Sequence, residues 1–348
     1  MNTHQSNKNM DLKGPYSTLK NDMNMNENDN NQIVPSPTGL RISTMTAISS
    51  ISTTVNLYIL SKYIKMENIS CISDIENAES GIVYSIYGNK VKRGLNPNLK
   101  KNKKKLFFNQ VTFIIKLNKK KYINLKMFVN GNIQITGLKL FEDTYKIKEI
   151  LEPLLYGING IEELDEFKNS KAIENENAIN FKPFEIVLIN SDYFCGYKIN
   201  RESLYKIIAN DYGIFTTYEP CIYPGVNIKF FWNRNSSGDN LGVCKCNNTC
   251  SGKGDGCSDG NCKKITIAAF QSGNVIITGA RNIDQINITY RFINKIFKKR
   301  YDDIRKIDAF TFENMDFSDS DSDDDCKIRS KKFANTKRVM IKKTKIRY

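Results

Sequence analysis

The chain reads as an α+β protein built from two pseudo-symmetric repeats with antiparallel strands, and three observations predict this. Residues 127–139 (MFVNGNIQITGLK) and 269–281 (AFQSGNVIITGAR) align without gaps and share Phe128/Phe270, Gly131/Gly273, Asn132/Asn274, Ile135/Ile277, Thr136/Thr278 and Gly137/Gly279. In each copy a β-patterned run meets a Gly-containing hairpin turn. Each copy is then followed by apolar residues at helical spacing. Copies this far apart exclude a short-period solenoid and imply two units of one kind, related by a pseudo-two-fold axis.

The elements follow in order. Residues 1–40 are rich in Asn, Asp, Ser and Lys without periodicity and read as disordered. The first repeat occupies 41–158. Thr53–Ile59 is β-rich and reads as a strand, whereas 58–88 carry no clear pattern. Lys90–Lys105 is a basic loop before a strand over Phe107–Leu117. There Val111, Phe113, Ile115 and Leu117 share one face, with Phe108, Gln110, Thr112, Ile114 and Lys116 on the other. A strand over Ile123–Phe128, a turn at Asn130-Gly131, a strand over Asn132–Thr136 ended by Gly137, and a helix over Leu140–Leu155 complete the unit.

A Glu/Asn/Lys-rich linker or surface excursion spans 159–182, and the second repeat runs 183–307 on the same plan. It has strands at Glu185–Phe194 and Tyr223–Trp232, a helix at Arg201–Asn210, and a Cys-rich insertion at 234–262. Strands Lys263–Phe270 and Asn274–Thr278 and a helix over Ile283–Arg300 follow. Residues 308–348 form a disordered tail, acidic at Ser318–Asp325 and basic beyond Lys327.

Lys and Arg number 52 against 37 Asp and Glu, a formal charge of +15. Such a balance favours a polyanionic partner, nucleic acid above all, and a pseudo-two-fold protein suits the pseudo-two-fold symmetry of duplex DNA. No apolar run reaches the roughly 20 residues of a bilayer span, and the N-terminus lacks a secretory core, so a soluble intracellular protein is expected. The one histidine is His4. That removes His-dependent nucleophilic triads and His-based metal sites.

Tyr218-Glu219-Pro220-Cys221-Ile222-Tyr223-Pro224-Gly225 resembles the YEPELFPG signature of the TATA-box-binding protein family, and the segments ending ITGLK and ITGAR resemble its IFxSGKxVxTGAK motif, present once per repeat. The resemblance spans about residues 45–300, broken by the linker and the Cys loop, and the divergence is like that of viral or otherwise remote members. It implies a saddle: one curved antiparallel sheet, its concave face on the DNA minor groove and its helices on the convex face. It also implies a non-enzymatic transcription initiation factor that bends AT-rich promoter DNA, binds as a monomer, and partners basal factors and RNA polymerase, in the nucleus or a cytoplasmic viral factory.

Position by position, the resemblance gives four aromatic wedges: Phe108 and Phe128 in the first repeat, Tyr223 and Phe270 in the second. Phe108 follows from strand parity, while gapless counting from Lys116 selects Gln110. Lys116 and Lys229 match phosphate-binding arginines, Thr136 and Thr278 the threonines at the central bases, and Lys139 and Arg281 the basic residues that close each motif. The family's two central asparagines are replaced by Ser50 and Leu188, with Asn190 on Leu188's face as a substitute. Donors to the minor-groove acceptors are thereby lost, which weakens strict TATA preference.

Cys244, Cys246, Cys250, Cys257 and Cys262 are candidate structural zinc ligands. Four thiolates suit tetrahedral Zn²⁺, but paired C-x₂-C knuckles are absent and one cysteine is left over, so a plain loop insertion is the alternative. The acidic run is a candidate competitor for the basic DNA face, strengthened by phosphorylation at Ser318, Ser320 or Ser322. Two rival classes stand beside the factor. One is an enzyme using half-saddle accessory architecture, for which no catalytic segment is visible. The other is an interaction module with weak or no sequence-specific DNA binding.

Overall fold

The computed structural model describes residues 33–68, 71–97, 107–118, 120–160, 170–236 and 241–307. Of the ends expected to be disordered, 1–40 and 308–348, residues 1–32 and 308–348 fall outside them, as do the acidic run and Lys101–Lys105, whereas within 33–40 Thr38 donates its amide to the Phe194 carbonyl at 2.9 Å.

The first repeat contributes strands β1 (Arg41–Ser50), β2 (Gly81–Tyr87), β3 (Val91–Gly94), β4 (Gln110–Asn118), β5 (Lys121–Phe128) and β6 (Asn132–Leu138). The second contributes β7 (Glu185–Phe194), β8 (Thr216–Thr217), β9 (Val226–Trp232), β10 (Lys263–Ala269) and β11 (Asn274–Ala280). Among the described residues they form one sheet in the order β3-β2-β4-β5-β6-β1-β7-β11-β10-β9-β8. Neighbouring strands pair antiparallel, and β1 and β7 meet at the junction of the repeats. The order β2-β4-β5-β6-β1 is the mirror counterpart of β8-β9-β10-β11-β7. The α+β, two-repeat class is therefore what the chain adopts.

Helices α1 (Leu57–Tyr63), α3 (Asp143–Tyr156), α4 (Arg201–Asn210) and α5 (Ile283–Lys299) share a buried cluster with one face of the sheet. Strand alternation supplies that face: Ile123, Leu125 and Met127 from β5 and Val226, Ile228 and Phe230 from β9 are buried. Ile147, Leu151 and Leu155 of α3 and Ile286, Ile293 and Phe297 of α5 cover it. The remaining helices are the short α2 (Ile72–Asn77) and α6 (Tyr301–Ile304). No helix among the described residues is long and apolar enough to cross a membrane.

Three expectations need correction. Thr53–Ile59 is not a strand; the strand lies earlier, at β1. Asn56 accepts a hydrogen bond from the Ile59 amide and caps α1, so local capping overrides the β-rich composition. Its counterpart Asn200 caps α4 through the Ser203 amide. Gly137 does not end its strand. Gly137 and Gly279, at φ 97° and 103°, each sit in a bulge that shifts register and turns Leu138 and Ala280 into the core. The 159–182 segment is not wholly a surface excursion, since Ala172 and Ile173 are fully buried.

The two hairpin turns are built alike. Gly131 (φ 75°) and Gly273 (φ 88°) donate to the carbonyls of Phe128 and Phe270, each at 2.9 Å. A Cβ would fall 2.2 Å from the Thr53 oxygen at Gly131 and 2.1 Å from the Tyr197 oxygen at Gly273. Glycine is therefore required by close approach as well as by dihedral.

Candidate nucleic-acid interface

On the sheet face opposite the helices lie Thr136, Thr278, Leu188 and Asn190 among the predicted residues, and its register aligns the repeats independently of sequence. Thr136 pairs with Thr46 and Asn124, and Thr278 pairs with Asn190 and Thr266. Thr46 and Asn190 are therefore counterparts. Across the junction Thr46 pairs with Leu188 and Thr44 with Asn190, which makes Thr44 the counterpart of Leu188. Ser50 is thus misplaced by the sequence alignment. It pairs with Asn132, while its counterpart Phe194 pairs with Asn274. A cleft of about 810 Å³ opens there, lined by Ile48, Ser50, Asn109, Phe128 and Gln134 among others. The centre of the face is Thr44, Thr46, Thr136, Leu188, Asn190 and Thr278, and the Thr278 hydroxyl hydrogen-bonds Asn190 Oδ1.

At the far end of the second repeat the wedge candidates are assembled. The Tyr223 and Phe270 ring centroids lie 5.7 Å apart. Both rings rest on Gly225, where a Cβ would meet Tyr223 Cε1 at 2.9 Å and Phe270 Cε1 at 3.1 Å. Arg201 ties the two segments together, donating to the Pro224 carbonyl and to Gln271 Oε1. In the first repeat Phe128 pairs with Gln110, so Phe108, two residues earlier, is the register counterpart of Tyr223. Gln110 stands where the second repeat has Gly225, which removes the bed for a packed pair. Phe108 instead leans over Gly88, 54% exposed.

Lys116 is a correction. Asn124 pairs with Ile114 and Thr266 with Lys229, so Ile114 is the counterpart of Lys229. Lys116 pairs with Tyr122 and corresponds to Phe231, opposite Lys264. Its side chain is 1% exposed, and Nζ donates to the carbonyls of Glu76 at 2.8 Å and Ala78 at 2.6 Å. Beside it Val83, Tyr84 and Ile114 form a small buried cluster with Ile86 and Tyr122. The ammonium is spent on the chain's own backbone.

The second repeat differs. Lys229 is half-buried and donates to Thr266 Oγ1 at 3.1 Å, and Lys264 is exposed. Burial, and then the charge of Lys264, pulls the Lys229 ammonium below its ordinary pKa; burial and Arg281 do the same to Lys263. Arg281 holds Nε buried without a hydrogen-bond partner, while Lys139 lies exposed. The sequence reading missed Thr44 and Thr46, because β1 was not recognised, and Lys126 and Lys264. The last two share strand parity with Phe128 and Lys229's partner Thr266, a signal that was present.

The sulfurs of Cys244, Cys246, Cys250 and Cys262 lie within 4.8 Å of one another, a group that could hold a metal. Cys246 and Cys262 Sγ are 3.3 Å apart, Cys262 and Cys244 Sγ 3.8 Å. Cys257 is exposed and outside the group, so the candidate set loses one member. Left-handed glycines Gly242, Gly252, Gly256 and Gly260 turn the loop, and Lys264 donates its amide to the Gly252 carbonyl at 2.8 Å.

Over 279 residues the chain is 31% identical to a "TATA-box-binding protein-like" protein of Acanthamoeba polyphaga mimivirus, covering 76% of this chain and 67% of that one. It is also similar to the solved structure of Methanococcus jannaschii TBP at 16% identity and a TM-score of 0.38, over 75% of this chain and 98% of that one. No protein-family profile matches.

Proposed function

The chain belongs to the TATA-box-binding-protein-like family, and from that premise we propose that it binds and bends promoter DNA through the minor groove as a transcription initiation factor. The observation that carries this is the open sheet face, where aromatic positions at both ends flank a centre of threonines and Asn190 beside one leucine, Leu188. Rings inserted into base steps unstack them at a few kcal/mol per step, and the bent duplex offsets this by covering more of the face. Asn190 and the threonines around it supply short donors to the centre, where the width and acceptors of an AT-rich groove are read. The helix-covered face is left for basal factors and RNA polymerase. The protein acts within the cell, in the nucleus or a cytoplasmic viral factory, and makes and breaks no bond. Nicks or abasic sites formed in the duplex below would overturn that last point.

The test is a gel shift on AT-rich and GC-rich duplexes across a salt series. Binding should favour AT-rich DNA, and log K should fall linearly with log salt. A FRET bend assay on Phe128→Ala and Phe270→Ala should show reduced bending. Variants that bend DNA like the parent would remove the wedging step. The apolar counterparts Ile114, Leu188 and the sealed Lys116 favour a second reading, an interaction module in a transcription complex with weak DNA binding; flat affinity across all duplexes would select it.

We also propose that Cys244, Cys246, Cys250 and Cys262 hold a structural zinc ion. Bound there, the ion would fix the insertion against β9 and β10.

A further inference from the structure

The face offered to DNA is unequal in its two halves, and the inequality follows from the register. At mid-strand the second repeat has Lys229 and the first has Ile114, which is 4% exposed in an apolar cluster. At the outer end the second repeat has Lys264, exposed, opposite Phe231. In the first repeat the same pair is Tyr122 and Lys116, and Lys116 is sealed beneath the Glu76 and Ala78 carbonyls. Among the described residues of the first repeat, exposed Lys92 lies in the same cross-strand row of this face as Lys126, which is half-buried on β5 nearer Phe128. The counterpart of Lys126, one register step beyond Thr266, is Ala268, 3% exposed. The aromatic ends differ likewise: the second repeat presents a packed pair on Gly225, the first a Phe108 resting on Gly88.

Resting on the DNA-binding reading above, we propose that the two repeats grip the duplex at non-equivalent positions. Lys229 and Lys264 contact phosphates in the second repeat, Lys126 does so in the first, and Lys116 is withheld by its own chain. A duplex held this way has a direction. The second repeat anchors it through cations beside a preassembled aromatic pair, and the first repeat meets the other end with a different charge pattern. A phosphate at Lys116 would need Nζ to leave the Glu76 and Ala78 carbonyls that it now satisfies. That cost is one the second repeat does not carry.

The experiment is lysine acetylation of the full-length protein by acetic anhydride, read by mass spectrometry, with and without an AT-rich duplex. Lys126, Lys229 and Lys264 should label in the free protein and be protected by DNA, while Lys116 should stay unlabelled in both. Labelling of Lys116 in the free protein with protection by DNA equal to that of Lys229 would overturn the inequality and leave DNA binding intact. Protection of no lysine would remove the DNA-binding reading, and this inference with it. As a second measurement, Lys229→Met should reduce the steepness of the log K against log salt line by about 0.9, the value for one lost phosphate contact. An unchanged slope would overturn the assignment of Lys229.

Discussion

Replacing Cys262 by serine should abolish tetrahedral metal binding, and replacing Cys257 should not. A Zn–S bond of about 2.3 Å sets the edge of an S₄ tetrahedron at roughly 3.8 Å. The Cys262–Cys244 separation is 3.8 Å and the Cys246–Cys262 separation 3.3 Å, both within about half an ångström of that edge, and all four sulfurs lie within 4.8 Å of one another. Cys262 is 2% exposed, whereas Cys257 is exposed and outside the group. The insertion is coupled to the sheet: Arg234 donates to the Gly256 carbonyl and Lys264 to that of Gly252, each at 2.8 Å. A Cβ at Gly256 would lie 2.1 Å from the Trp232 ring. Metal loss should therefore register in the melting of the whole sheet. Zinc held a thousand-fold above its Kd contributes about 4 kcal/mol, which for a domain of this size is a melting shift on the order of 10 °C. The assay is Co²⁺ titration of the reduced protein. One equivalent should give tetrahedral thiolate bands in the parent and in Cys257→Ser, with none in Cys262→Ser, and EDTA should lower Tm in the first two alone. Bands lost in Cys257→Ser, or a Tm insensitive to EDTA, would refute the four-thiolate assignment.

Three further outcomes are expected. Gly131→Ala and Gly273→Ala should each destabilise by about 2–4 kcal/mol, combining a left-handed backbone with a backbone clash, and nearly equally; chemical denaturation checks both size and equality. At Asp192 burial pushes the carboxyl up, but the Ser43 hydroxyl and the Arg41 guanidinium outweigh it and hold the group below its ordinary pKa. A depressed folded pKa gives stability that is present above the unfolded pKa and lost as pH falls through the folded one. The stability gap between the parent and Asp192→Asn should hold above about pH 5 and close below about pH 4 in pH-dependent melts. Ser52, at φ 63°, occupies the place that Gly196, at φ 104°, fills in the second repeat. Ser52→Gly should therefore leave stability unchanged or raise it by up to about 1 kcal/mol, against the usual loss for glycine, as thermal melts would show.

The repeat and its hairpins were legible because alternation and Gly turns are local signals, and the same turns recur with the same hydrogen bonds. The strand β1 was not legible. Its sequence RISTMTAISS mixes small polar and apolar residues, since its open face lies at the middle of the sheet and is packed on both sides by neighbouring strands. The strands β2 and β3 were hidden by a segment with no dominant periodicity. For the site, the strand predicted over Phe107–Leu117 begins at Gln110, which pairs with Phe128, so Phe108 lies two residues before the ladder. Lys116 was misread because a lysine on a strand looks solvated in sequence. Only the fold shows that the carbonyls of Glu76 and Ala78 close over it. Ser50 was misread because β1 itself was not recognised, so no pairing with β6 and β7 was available to count from.

The junction of β1 with β7 has an implication for the chain's ancestry and for its fragments. Each of these strands offers the other nearly what it would offer a copy of itself, with Thr44 opposite Asn190 and Thr46 opposite Leu188 as reciprocal partners. A lone first half would expose the β1 hydrogen-bonding edge and the severed side of the shared interior. It would bury both by docking, head against head, onto an identical molecule, so the polypeptide carries within it the seam of a homodimer.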